Sequence, residues 1–121
     1  MAEKLKKRKR GKKMQVRRVE NMAGGEGHVI IRDILEQDKL GEKCRMYAEV
    51  TLEPGCSLGV HEHRGECESY YILQGTGEYT DDGNKRPVQA GDVTVTPSGH
   101  SHGLANTGDA DLKFMALILL D

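Results

Sequence analysis

The chain has 121 residues, enough to enclose one hydrophobic core and too few for two ordinary domains. Fifteen glycines, no tryptophan and a longest apolar run of seven residues, Phe114 to Leu120, exclude a helical membrane span and favour short strands joined by tight turns. The formal net charge of −1 is unevenly divided: residues 1–13 carry eight Lys or Arg against Glu3, a net of +7, so the remainder carries −8.

Such a cationic head cannot bury apolar surface and is expected to be disordered. It could act as a nuclear-localisation or nucleic-acid tail by displacing counterions from phosphates. Nothing downstream reads as a base-recognition module, however, so residues 1–13 are taken as an extension or leader and nucleic acid is not an expected partner. No apolar segment and small-residue cleavage site follow the basic start, which points to a cytoplasmic protein. Cys44, Cys56 and Cys67 are odd in number and lack a Cys-x-x-Cys spacing, which suits a reduced compartment. One domain is expected over residues 14–121, with its core at about 28–120.

Gly24 to Gly27 reads as a loop and His28 to Leu35, rich in β-branched residues, as the first strand. After a polar connection, Met46, Ala48, Val50 and Leu52 fall two apart and place Cys44 to Leu52 in a strand with one apolar face. Glu53-Pro54-Gly55 turns the chain. Strands follow at Glu68 to Leu73 and Gly77 to Thr80, a hairpin turn at Asp81 to Asn84, and a further strand at Asp92 to Thr96, with Pro97-Ser98-Gly99 turning once more. Leu112 to Leu120 is apolar at both parities, the mark of a strand buried between layers or used in a subunit contact. The pattern is that of an all-β sandwich or barrel.

Four of the five histidines crowd two short segments, His61-Glu62-His63 and His100-Ser101-His102. In a strand, residues i and i+2 share a face, so His61 and His63 can aim at one point. Glu68 follows across a span suited to a turn, which sets a carboxylate opposite the imidazoles. Three imidazoles and a carboxylate suit a divalent first-row metal and leave coordination positions open.

The spacing of these residues resembles the two motifs of the cupin family. Gly55, His61, His63, Glu68 and Gly75 answer the first, and Gly91, Pro97, Gly99, His102 and Asn106 answer the second, with fifteen residues, 76–90, between them. Ten fixed positions would match by chance at about 10⁻¹³ per placement. The resemblance implies a conical double-stranded β-helix, or jelly-roll barrel, usually a homodimer, with one divalent metal in its mouth. It implies His61, His63, Glu68 and His102 as ligands, with manganese, iron, nickel or zinc all suited. Glu66 has the same parity as Glu68 but the wrong distance to Gly75, and ranks second. His28 and His100 are read as hydrogen-bonded polar residues outside the site.

Tyr70 and Ile72 share the inward parity of Glu68, and Met46 lies on a similar face, so Tyr70, Met46 and Ile72 are the expected substrate-binding residues. The expected ligand is a small molecule: a carboxylate, a hydroxylated acid or a compact carbonyl compound. The expected function is that of a metal-dependent enzyme acting on such a compound, a decarboxylase, dioxygenase or isomerase, as the resemblance implies. The alternative is a sensor or carrier that binds without turnover. No residue stands out as a proton donor, and no catalytic residue is assigned.

Overall fold

The computed structural model describes residues 15–121; the basic head lies outside the described residues. The described residues form ten strands: β1 (Val16–Glu20), β2 (His28–Asp33), β3 (Cys44–Leu52), β4 (Ser57–Glu62), β5 (Glu66–Gln74), β6 (Thr76–Asp81), β7 (Asn84–Gln89), β8 (Val93–Thr96), β9 (Ser101–Asn106) and β10 (Leu112–Leu120). They form a six-stranded sheet in the order β1-β2-β3-β10-β5-β8 and a four-stranded sheet in the order β4-β9-β6-β7. All pairings are antiparallel. None of the described residues forms a helix long and apolar enough to cross a membrane.

The two sheets share one core, because inward residues of each strand recur every second position. Leu112, Phe114, Ala116 and Ile118 of β10 are buried, as are Ala48, Val50 and Leu52 of β3 and Tyr70 and Ile72 of β5. All of these but Ile118 meet Leu58, Tyr79, Val88 and Leu104 from the opposite sheet in a single cluster. The second apolar face of β10 has no such cover among the described residues: Met115 and Leu117 are half-buried, and Leu119 is exposed. Of the two expectations for this strand, burial between layers is met on one face, and the other face is left open to a subunit contact.

Two edge strands depart from the sequence expectation for a physical reason. β1 precedes the strand expected to come first and pairs with β2 from Val16 opposite Arg32 to Glu20 opposite His28. It has almost no apolar face to betray it, and Arg17 anchors it through both nitrogens of its fork to Asp33. β7, at the edge of the other sheet, is polar apart from buried Val88 and accommodates Pro87 where no ladder donor is needed. The β6–β7 connection is the expected tight hairpin: Asp81 pairs with Asn84, and Asp82 and Gly83 both take positive φ, as a two-residue type I′ turn requires.

Asn106 closes the end of β9. Its side-chain amide donates to the carbonyls of Leu52 and Ala110, and its oxygen accepts the Gly108 N–H, at 2.8, 2.9 and 2.9 Å. Asn106→Ala strips a partner from three backbone groups, one of them buried. It is expected to cost about 2 kcal/mol, read as a lower midpoint in thermal unfolding with no change in metal stoichiometry.

Candidate metal centre

The four residues singled out by spacing come together between the sheets. His61 on β4 stands directly opposite His102 on β9, and Glu68 projects from β5 of the facing sheet. A bulge creates the first juxtaposition: Leu58 pairs with Leu104 and His61 with His102, so Gly59 and Val60 oppose Gly103 alone. Only glycine fits at 59, because a Cβ there would lie 1.9 Å from the Ala23 carbonyl oxygen. His63 sits just beyond β4, where its N–H donates to the His100 carbonyl and its own carbonyl accepts the Gly99 N–H.

One side-chain atom from each residue converges on a common point. The Nε2 atoms of His63 and His102 are 3.0 Å apart, and those of His102 and His61 are 3.1 Å apart. Glu68 Oε1 lies 2.9 Å from His63 Nε2, 3.0 Å from His102 Nε2 and 4.0 Å from His61 Nε2. All four candidate ligand atoms fall within 4.8 Å of one another. His63, Glu68 and His102 are buried, and His61 is half-buried.

The opposite nitrogen of each ring is also engaged. His61 Nδ1–H donates to the Gly59 carbonyl at 2.8 Å, and His63 Nδ1–H donates to Glu66 Oε2 at 2.6 Å. His102 Nδ1 faces two hydroxyls, Thr96 Oγ1 at 2.8 Å and Tyr79 Oη at 2.9 Å, either of which can accept its N–H. Protons on Nδ1 leave bare Nε2 lone pairs, so three lone pairs and a carboxylate point at one another. That arrangement is repulsive without positive charge at its centre, and the set of three imidazoles and one carboxylate is a standard one for a first-row divalent ion. The donor set fits a cation.

Positive charge at that centre, whether a cation or a proton on an imidazole Nε2, is also what keeps Glu68 ionised. Burial disfavours the Glu68 anion, yet hydrogen bonding to His102 and His61 and the nearby imidazole charges bring its pKa down to about 2. Glu68 in turn raises His61, whereas burial lowers His102. Glu66 is held low, first by its hydrogen bonds from Arg45.

Beside the cluster lies a cavity of about 220 Å³. His61, His63, Glu68 and Tyr70 form its polar wall, Met46, Val50 and Phe114 part of its apolar wall, and Arg17, Gln37 and Arg45 also line it. Tyr70 stacks on the His102 ring at 4.8 Å, with its hydroxyl 3.4 Å from Nε2, and full burial pushes its pKa well above the usual phenol range. Two of the three expected substrate-binding residues, Met46 and Tyr70, thus face the cavity. Ile72 does not: its inward parity leads into the packed core, where it is fully buried away from the cavity lining.

His28 is paired with Glu53 and His100 with Asp82, both away from the site. The three cysteines are free thiols, and none belongs to the cluster. Glu66, ranked second to Glu68 as a ligand, is instead the Nδ1 partner of His63, and the groups that spacing did not reveal are the Nδ1 partners of His102, Thr96 and Tyr79. Thr96 lies among the five unspecified residues between Gly91 and Pro97 of the second motif. For Tyr79 the one available signal is its inward parity on β6.

An all-β fold of two antiparallel sheets with a His₃Glu cluster between them defines a cupin, and the chain belongs to that family: residues 48–118 match the Cupin domain model. Among known proteins it is 47% identical over 103 residues to the oxalate-binding protein of Thermotoga maritima, covering 85% of each. A crystal structure described as a predicted oxalate decarboxylase from Thermotoga maritima superimposes with a TM-score of 0.86 at 44% identity, over 90% of this chain and 95% of that one. Oxalate decarboxylase of Bacillus subtilis is 36% identical over 75 residues, which are 58% of this chain and 20% of that enzyme.

Proposed function

We propose that this protein binds one divalent cation through His61, His63, Glu68 and His102 and uses it to capture a small dicarboxylate, oxalate foremost, without turning it over. The observation that carries the reading is the convergence of three Nε2 atoms and one carboxylate oxygen beside a small cavity. Manganese, iron, nickel and zinc all suit mixed nitrogen and oxygen ligands. When bound, the cation supplies Lewis-acid attraction for carboxylate oxygens at the positions that four protein ligands leave open.

The chain's own residues supply the rest. Tyr70, firmly protonated, can donate its O–H to a bound carboxylate, while Met46, Val50 and Phe114 keep water from one side of it. Arg17 and Arg45 give the cavity a positive bias toward an anion, tempered by their pairing with Asp33 and Glu66. Binding is favoured over turnover by what lines the cavity. Among the described residues, the one carboxylate that lines it is Glu68, committed to the cation, and no second carboxylic acid is placed there to return a proton to a carbanion. The names of the relatives support oxalate as the first ligand to test.

Titration calorimetry of oxalate into manganese-loaded protein is expected to show one site per metal ion, and metal-stripped protein none. Prolonged incubation with oxalate in air should release neither carbon dioxide nor formate. Product at more than one equivalent per chain would replace this reading with an enzymatic one.

A further inference from the structure

The three histidines of the cluster differ in what holds their second nitrogen. His61 has a neutral carbonyl and His102 a pair of hydroxyls, whereas His63 has an anion, Glu66 Oε2, at 2.6 Å. That carboxylate is itself gripped at both oxygens: Arg45 Nε donates to Oε1 at 2.7 Å and Arg45 Nη2 to Oε2 at 2.8 Å. A bidentate grip of this kind fixes the plane of the carboxylate, and the carboxylate then fixes the plane and tautomer of the ring.

The backbone is built to make this contact. Arg45 comes from β3, two strands from Glu66 on β5, with β10 between them. Along regular β3 its parity would match that of exposed Tyr47. The register between β3 and β10 shifts there, with Met46 opposite Ile118 and Cys44 opposite Leu119, which leaves Arg45 as the extra residue of a bulge. Bulges re-aim side chains, and this one accompanies an Arg45 that lines the cavity and reaches Glu66. Glu66, at the start of β5, has a side chain only 12% exposed, so solvent competes weakly for its oxygens.

We propose that Glu66, clamped by Arg45, is a positioning residue for the metal centre: it holds His63 with Nδ1 protonated and Nε2 free to ligate, and makes that imidazole a stronger donor than its two neighbours. Glu66 is not itself a ligand. Its engaged oxygens face Arg45 and His63 Nδ1, on the side of the ring away from the point where the Nε2 atoms meet. The inference rests on the cation-binding half of the proposed function and is independent of the identity of the anion.

The test uses zinc, which is diamagnetic, with the full chain and the variants E66A, E66Q and E68Q. E66A should weaken zinc binding about 10- to 100-fold, and E66Q, which keeps an oxygen acceptor but loses the charge, should fall between E66A and wild type. In proton spectra of the zinc-loaded protein the His63 Nδ1–H signal should lose its downfield shift and its protection from exchange in E66A, while those of His61 and His102 persist. A general structural defect would instead disturb all three. Zinc affinity in E66A within twofold of wild type, or loss of all three signals together, overturns the positioning role and leaves the metal site standing. Abolition of zinc uptake to the same degree as in E68Q would make Glu66 a ligand and also overturns it. Wild-type protein that takes up no zinc removes the site itself, and this inference with it.

Discussion

Glu68→Gln is expected to lower affinity for every divalent ion tested by more than about a hundredfold, a larger effect than loss of a group that only orients a ligand. The substitution keeps the shape of the side chain while removing the one anion among the four candidate ligand atoms. Glu68 is held ionised near 2 by imidazoles that would themselves be ligands, so at neutral pH the charge is present and the loss is complete. The metal-free variant should remain folded, because the core cluster of Phe114, Ile72, Leu104 and their neighbours does not depend on that charge. His102→Ala should match it in metal loss, since His102 is the one candidate ligand from β9 and the loss would leave β4 and β5 bridged without it. Thermal unfolding gives a second readout. A cation at a hundred times its dissociation constant stabilises the native state by about 2.7 kcal/mol, or roughly 10 °C for a domain of this size. That increment should vanish in both variants. If Glu68→Gln retains wild-type metal content after dialysis, the ligand assignment fails.

How much of this was legible in the sequence depends on how local the information is. Cys44–Leu52 was readable because Met46, Ala48, Val50 and Leu52 recur at a period of two, and Leu112–Leu120 because it is an almost unbroken apolar run of strand length. β1 and β7 were not, because an edge strand is held by its ladder and by pairs such as Arg17 with Asp33, and needs little apolar patterning. The four residues that converge on one point are fixed by motif spacing. Their supporting partners are set by tertiary approach, Arg45 to Glu66 across β10 and Tyr79 to His102 between neighbouring strands, and no spacing encodes that. Parity told which way Ile72 points but not how deep it lies, which is why Met46 and Tyr70 reach the cavity and Ile72 does not. At Arg45 parity itself fails, because a bulge resets it.

The protein is expected to be a homodimer joined through the outer face of the six-stranded sheet. Along that face Met115 of β10 stands opposite Tyr71 of β5, Tyr71 opposite Val93 of β8, and Leu117 of β10 opposite Tyr47 of β3. Tyr47, Tyr71, Val93 and Val95 are 37–57% exposed, a band of large apolar side chains across adjacent strands where an ordinary solvated sheet face would alternate with charge. A second copy laid on the same face is the economical cover, since a two-fold contact needs one self-complementary patch and about 800 Å² from each partner. Light scattering at micromolar concentration should therefore return twice the mass of the chain. Tyr71→Lys combined with Val95→Lys places two like charges on each copy at the centre of the contact and should shift the mass to that of a monomer. Metal content should not change in that variant, because Tyr71 and Val95 point away from the barrel while their neighbours Tyr70 and Thr96 point in. A wild-type mass equal to one chain would show that the outer band of β10 stays exposed to solvent, and would refute the dimer.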